Sequence, residues 1–317
     1  MLDKTLGRLL PSSSNAAAHV VALTFLHELS SDATRPSPPV TARWSDLVQL
    51  PDALLGPGLD EACQACEAAW PHALAGFFDG VRFASAPTEQ LRDAISCLER
   101  LDDRMGAHHR ETRLGDFYQH TRSLSAKSWQ AAYFTPWHIA YAMALINEPQ
   151  PGEFIGDISG CGAGVFLIAA LKAVRDRHGD RLANTVTLIG ADIDPRTCQI
   201  ARASLLLAGA HADQFHIACG NTLAQPIGGI DRADGEFKTL AFTCLLGNPP
   251  FGSKVARTDL EHAAAQGPLV IPDRVLYRPV LAAAPELANN GSRPVQRALA
   301  AADGRLFTDT DGELLAA

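Results

Sequence analysis

The chain has 317 residues, 47% hydrophobic and 20% charged, with a formal net charge of −8. That composition excludes a disordered chain, and 25 Gly with 20 Pro is too few for a low-complexity or collagen-like one. A net acidic molecule is no basic coat for nucleic acid, so any nucleic-acid contact has to come from a local patch.

The apolar stretch from Ala16 to Leu26 is interrupted by His19 and falls short of the ~20 residues a bilayer span requires. It lacks a small-residue cleavage pattern after a charged start, so it does not read as a secretion signal. Seven cysteines, an odd number spread from Cys63 to Cys244, suit a reducing compartment better than a disulfide framework. The expectation is a soluble cytoplasmic protein without a membrane partner.

Before residue 130 the pattern is helical, with almost no β-branched runs. Ser14 to Leu29 reads as a helix, Ser31 to Pro39 with its three prolines as a loop, and Pro51 to Phe78 as one or two helices. Thr88 to Leu101 has a start signal in Thr88, Glu89 and Gln90, followed by Leu91, Ala94, Ile95 and Leu98 at helical spacing. Cys63-Gln64-Ala65-Cys66 has the spacing of a metal ligand pair, but no second pair or nearby His-x-x-x-His accompanies it. Two buried thiols, with no metal, are expected there. His108 and His109 with Arg104, Arg110, Arg113 and Arg122 form the most basic stretch. It reads as a solvated helix surface; the alternative is contact with a DNA backbone, which would make binding steeply salt-dependent.

From about Phe154 short apolar runs alternate with helical patterns. Phe154 to Ile158, Val186 to Ala191, Gln214 to Ala218 and Leu240 to Gly247 read as strands. Val165 to Arg177 and Pro195 to Leu207 read as helices, the latter with proline at the favoured first-turn position. Strand and helix in alternation predict an α/β domain, a mostly parallel sheet with helices on both faces, preceded by the helical N-terminal domain. In such sheets ligands sit beyond the carboxyl ends of the strands, and those ends carry the informative residues here.

After the first strand comes Asp157-Ile158-Ser159-Gly160-Cys161-Gly162-Ala163-Gly164. Its glycines allow a tight turn and a close backbone approach to a ligand, although an ordinary strand-to-helix turn would look similar. No Gly-Lys-Ser/Thr follows, which disfavours a phosphate-binding P-loop. After the second strand comes Asp192-Ile193-Asp194-Pro195. Asp194 suits the cap of the next helix, leaving Asp192 to accept hydrogen bonds from ribose hydroxyls. The fourth strand runs into Asn248-Pro249-Pro250-Phe251. Two prolines without N–H groups end a strand abruptly and hold an amide and a carbonyl in one geometry beside an aromatic ring.

Asn-Pro-Pro-Phe in this place resembles the catalytic motif of S-adenosylmethionine-dependent methyltransferases acting on planar nitrogens, among them the adenine amino-methyltransferases of DNA and the glutamine methyltransferases of release factors. Tyr133-Phe134-Thr135-Pro136, with Ile139 and Met143 on the following helix, resembles the Phe-Tyr-Thr-Pro segment of DNA methyltransferases such as the modification subunits of type I restriction systems. Read from the residues alone, Thr135 would be a helix N-cap with Pro136 at the first helical position. The order of the four motifs favours the DNA enzymes.

The resemblance covers roughly Ala131 to Gly252 and implies a Rossmann-like methyltransferase core over residues 131–317 after a helical domain over 1–130. It implies S-adenosyl-L-methionine as cofactor, seated by Phe134, Thr135, Pro136, Asp157, Ser159, Gly160, Gly162, Gly164, Asp192, Ile193, Asn221 and Thr222. Asn248 and Pro249 would accept from the target amine, Pro250 would complete the rigid turn, and Phe251 would stack on the base. The implied partners are double-stranded DNA with the target adenine flipped out and a separate specificity subunit.

Asp157 stands one residue farther from Gly162 than the usual family spacing, Asn221 replaces a usual Asp, and Thr243 stands where an Asp is common. Pro294 falls within the segment matching the next strand, and Ala317 comes before a closing hairpin or recognition domain could be built. The sheet is therefore expected to be incomplete or completed by another chain. Methylation of a protein glutamine, and a degenerate core that binds without turnover, remain open alternatives.

Overall fold

A computed structural model describes residues 14–31, 36–105, 112–125, 135–220 and 242–249. Phe134, Asn221, Thr222, Pro250 and Phe251, the His108-His109-Arg110 stretch, and the segment holding Pro294 lie outside the described residues. Contacts divide the chain into two compact units, Met1–Trp129 with Gln199–Ala212, and Gln130–Cys198 with Asp213–Ala317.

The first unit is built on helix α1, Ser14–Leu29. Its sequence is apolar all round from Val20 to Leu29, and every residue of that run is buried, as such a pattern requires. Two of the polar members of the run are held inside the unit. Thr24 Oγ1 donates to Val20 O at 2.8 Å, and Glu28 pairs with Arg113 at 2.5 Å. Phe25 lies against Phe77 and Phe78, with ring centroids 5.2 and 5.7 Å away. Around it come α2 (Trp44–Leu47), α3 (Asp52–Ala69), α4 (Pro71–Leu74), α5 (Thr88–Met105) and α6 (Arg113–Ser125). Helix α5 runs one turn beyond the Leu101 end read from the sequence. Helices α2 and α6 were not expected as separate elements.

Cys63 and Cys66 are both buried on α3. Burial raises both thiols, Cys66 to about 12. Among the described residues no cluster of His, Cys, Asp and Glu could hold a metal ion. The basic stretch is not simply a solvated surface, because Arg113 has 1% relative exposure and its charge is spent on Glu28. That residue is therefore removed from any DNA contact. Among the described residues no helix is long and apolar enough to cross a membrane.

The second unit opens with α7, Trp137–Asn147. Strand β1 (Phe154–Asp157) leads to α8 (Val165–His178) and α9 (Asp180–Ala183), β2 (Thr187–Asp192) to α10 (Pro195–Leu207), and β3 (Phe215–Cys219) and β4 (Cys244–Leu245) follow. Residues 199–212, which include the rest of α10, group with the first unit. The sheet order is β3-β2-β1-β4 and every described pair is parallel. β1 aligns Phe154 with Thr187 of β2 and Ile155 with Cys244 of β4.

The chain thus adds strands to one side of β1 and then crosses to the other, so the order reverses between β1 and β4. Two strands that leave in opposite senses cannot both have their following segments close the crevice between them, and ligands of open α/β sheets bind there. The expected strand Leu240 to Gly247 lies partly outside the described residues; within 242–247 Cys244–Leu245 form the ladder, and Leu246 still donates to Gly156 O at 2.9 Å. The Pro249-Pro250 pair ahead removes donors that a longer strand would use. Thr243 sits at the opposite end of the sheet, accepting from Phe154 N at 3.0 Å, away from the crevice.

Candidate active site at the sheet reversal

β1 ends in Asp157, whose side chain is closed off from solvent. Ser159 meets it through the backbone and through a hydroxyl 3.4 Å from Oδ1, while Oδ2 is buried with no donor among the described residues. Burial is the main reason that the carboxyl is pushed up to about 7, helped by the charge of Asp192 and opposed by the Ser159 contacts. A buried carboxylate oxygen without a donor is costly. It is the kind of group that a cationic ligand would satisfy.

The next turn depends on glycine. Gly160, Gly162 and Gly164 have φ of 114, 55 and 84°, values that a Cβ makes costly. Gly164 is the N-cap of α8, so the turn delivers a helix N-terminus with its free N–H groups to the crevice. The turn is tied to β2 by two bonds: Cys161 N donates to Ala191 O at 2.8 Å and Gly162 N to Asp192 Oδ2 at 3.0 Å.

Asp192 Oδ1 also accepts from Asp194 N at 3.0 Å. The carboxylate expected to meet a ribose therefore braces the glycine turn as well; each oxygen still has a lone pair to offer. Asp194 caps α10, its Oδ1 accepting from Arg196 N at 2.9 Å and Thr197 N at 3.4 Å. Between the two acids Ile193 is 72% exposed, an apolar side chain left uncovered beside the polar ones.

After β4 comes Gly247, and a Cβ built on it would lie 2.4 Å from Ser159 Oγ and 3.1 Å from Asp157 Oδ1. The corner that carries Asn248 is thus pressed against the turn that follows β1. Asn248 Nδ2 donates to Thr135 Oγ1 at 3.2 Å. Thr135 is not the N-cap of α7. Pro136 holds that position without any side-chain cap, and its carbonyl accepts from Ile139 N and Ala140 N at 3.0 and 3.2 Å. The cap expected of Thr135 is replaced by a longer-range bond.

The structure brings together Thr135, Asp157, Ser159, the glycine turn, Asp192 and Asn248, all in one unit; Ile193 and Pro249 adjoin them in sequence. Sequence reasoning missed two contacts, the close approach of Gly247 to Ser159 and the bond from Asn248 to Thr135. Each joins residues distant in the chain. The one signal available was the extra residue, Ser159, between the acid and the glycines.

A parallel sheet reversing at β1, a glycine turn with an acid ahead of it, and an Asn-Pro corner on the adjacent strand define an α/β methyltransferase fold. The chain matches the family model described as N-6 DNA Methylase over residues 110–278, just over half its length, and belongs to that family. It is 33% identical over 131 residues to the type II methyltransferase M.MamI of Microbacterium ammoniaphilum, covering 38% of this chain and 34% of that protein. It is 22% identical over 228 residues to the type I restriction enzyme MjaIX methylase subunit of Methanocaldococcus jannaschii, covering 67% of this chain and 36% of that one. The type I restriction-modification system methyltransferase subunit from Streptococcus thermophilus shares the fold, with a TM-score of 0.55 at 16% identity over 80% of this chain and 62% of that one. The chain spans about a third of the length of the two sequence relatives.

Proposed function

We propose that this chain transfers a methyl group from S-adenosyl-L-methionine to the exocyclic amine of adenine in double-stranded DNA. The observation that carries the reading is the Asn248 amide, bound through Nδ2 to Thr135 at the sheet reversal, on a corner packed against the glycine turn. The four motifs in their order and the membership in the N-6 DNA methylase family support it.

The residues present fit the cofactor. Asp157 Oδ2, buried and without a donor among the described residues, suits its cationic amino group; Asp192 suits its ribose hydroxyls; the positive-φ glycines leave the backbone bare for close approach; Pro136, with Phe134 two positions ahead of it and Asn221 and Thr222 after β3, completes the set, while the Thr135 hydroxyl is engaged by Asn248. When bound, the cofactor supplies an electrophilic sulfonium methyl.

The chain's own task lies on the nitrogen side. An exocyclic amine delocalises its lone pair into the ring and is a poor nucleophile. Asn248 Oδ1 and the carbonyl of Pro249, accepting from its two hydrogens, favour a pyramidal nitrogen with the lone pair freed. Their hold tightens as positive charge develops there, which is stabilisation specific to the transition state. Phe251, next but one after Pro249 in the sequence, would stack on the extruded base. In this reading target recognition comes from a separate specificity subunit, in line with the relatives named as subunits.

The test is transfer of labelled methyl to unmethylated DNA and, in parallel, to a protein extract. Label in DNA adenine is expected, and label in protein glutamine alone would overturn the reading. Asn248→Ala should cut transfer by roughly 10²- to 10³-fold, the usual loss for one aimed polar group in an active site, with cofactor binding by calorimetry retained. Unchanged transfer would refute the assignment.

A further inference from the structure

An amide side chain presents an acceptor from one end and a donor from the other, and the two ends exchange by a half-turn about its last bond. Only the acceptor end can serve a target NH2. Asparagine in a turn commonly folds its Oδ1 back onto the backbone N–H two residues on. Here that residue is Pro250 and the one between is Pro249, and neither has an N–H to offer. Among the described residues no donor meets Oδ1, whereas Nδ2 is taken by Thr135 Oγ1 at 3.2 Å. Thr135 is available because the α7 N-terminus does not use it as a cap.

We infer that Thr135 is a positioning residue that turns the acceptor end of Asn248 toward the target amine, its hydroxyl holding Nδ2 while the two prolines leave Oδ1 undrawn. The inference rests on the proposed function and adds to it a residue that touches neither amine nor methyl. It differs from a cofactor-covering role for Thr135, since a cover would act on cofactor affinity and a positioner acts on turnover.

The experiment uses the full chain with S-adenosylmethionine carrying a labelled methyl, unmethylated plasmid DNA, and selective 15N labelling of asparagine. Thr135→Val, nearly isosteric but without the hydroxyl, should lower kcat by roughly tenfold, the equilibrium weight of one neutral hydrogen bond. KM for DNA and the calorimetric Kd for the cofactor should stay within about twofold. Thr135→Ser, which keeps the hydroxyl, should restore kcat. In an Asn248→Asp background, where both oxygens accept and orientation no longer matters, Thr135→Val should cost clearly less than in the parent; a merely structural role for Thr135 would give equal losses.

The side-chain amide signal of Asn248 gives a reading independent of DNA. It should be protected from exchange in the parent and in Thr135→Ser, and exposed in Thr135→Val. Unchanged kcat in Thr135→Val, a raised cofactor Kd with unchanged kcat, or an Asn248 amide equally exposed in all three proteins would overturn the inference. If the parent labels protein glutamine and no DNA, the proposed function fails by itself, and the amide signal still decides whether Thr135 holds Asn248.

Discussion

Burial raises the Asp157 carboxyl to about 7, whereas the same carboxyl in an unfolded chain loses its proton near 3.8. The folded, ligand-free protein therefore binds this proton more tightly than the unfolded chain does. The stability it contributes is fully present below about pH 4 and is lost as pH rises to about 7, because the buried side chain must then ionise with the Ser159 contacts offsetting only part of the lost hydration. Thermal unfolding across pH 4 to 8 should show that decline, and Asp157→Asn should flatten it while raising stability at pH 8. A cationic ligand on Oδ2 acts in the opposite direction, drawing the proton off as it binds, so cofactor affinity should strengthen as pH rises through about 7.

At this scale the places of Asp157 and Asp192 at strand ends, and of Asn248 just past one, were legible, because short apolar runs mark where the strands of a parallel sheet stop. Arg113 was not. Its partner Glu28 lies 85 residues away in sequence, and nothing local separates an arginine destined for a carboxylate inside a helical core from one destined for solvent. The reading of Thr135 as a cap failed for a related reason: the local rule was sound, but a distant amide competed for the hydroxyl.

Elements meet at Gly247, where β4 leaves the sheet. The 2.4 Å gap that a Cβ would leave to Ser159 Oγ is too small, so Gly247→Ala should displace the Ser159 hydroxyl from Asp157 at a cost of about 1 kcal/mol. Ser159→Ala removes the offending oxygen, and the double variant should recover most of that loss in urea unfolding. Equal destabilisation of single and double variants would show that the turns do not share this contact. Helix bounds were the most legible features. Ser14 to Leu29 and Pro195 to Leu207 were read to the residue, because the cap and proline signals are local. β4 was the least legible, since ladder length is decided by the neighbouring strand and by prolines beyond the apolar run, not by the run itself.

Over the whole molecule the division of labour is plain. The helical unit holds the Glu28–Arg113 ion pair inside, and the α/β unit holds Asp157 and Asp192 at the ends of strands. Replacing one member of a buried pair leaves the other charge unpaired, which typically costs about 3–5 kcal/mol. Arg113→Met should therefore destabilise the helical unit by that order, and adding Glu28→Leu should recover much of it. Both effects would be read from denaturant unfolding. The fold class could be seen in the sequence from the change of period near Phe154, because strands and helices of a parallel sheet alternate along the chain. The grouping of residues 199–212 with the first unit could not, since sequence order gives no sign of it.

The bond between Thr135 and Asn248 spans 113 residues, and this bears on how the protein is made. At the usual pace of synthesis, about 5–20 residues per second, the ribosome releases the first partner roughly 6 to 23 s before the second. By the end of that interval the nascent chain carries the glycine turn and both acids. The corner proposed to receive the amine thus joins a scaffold whose earlier parts have had time to settle.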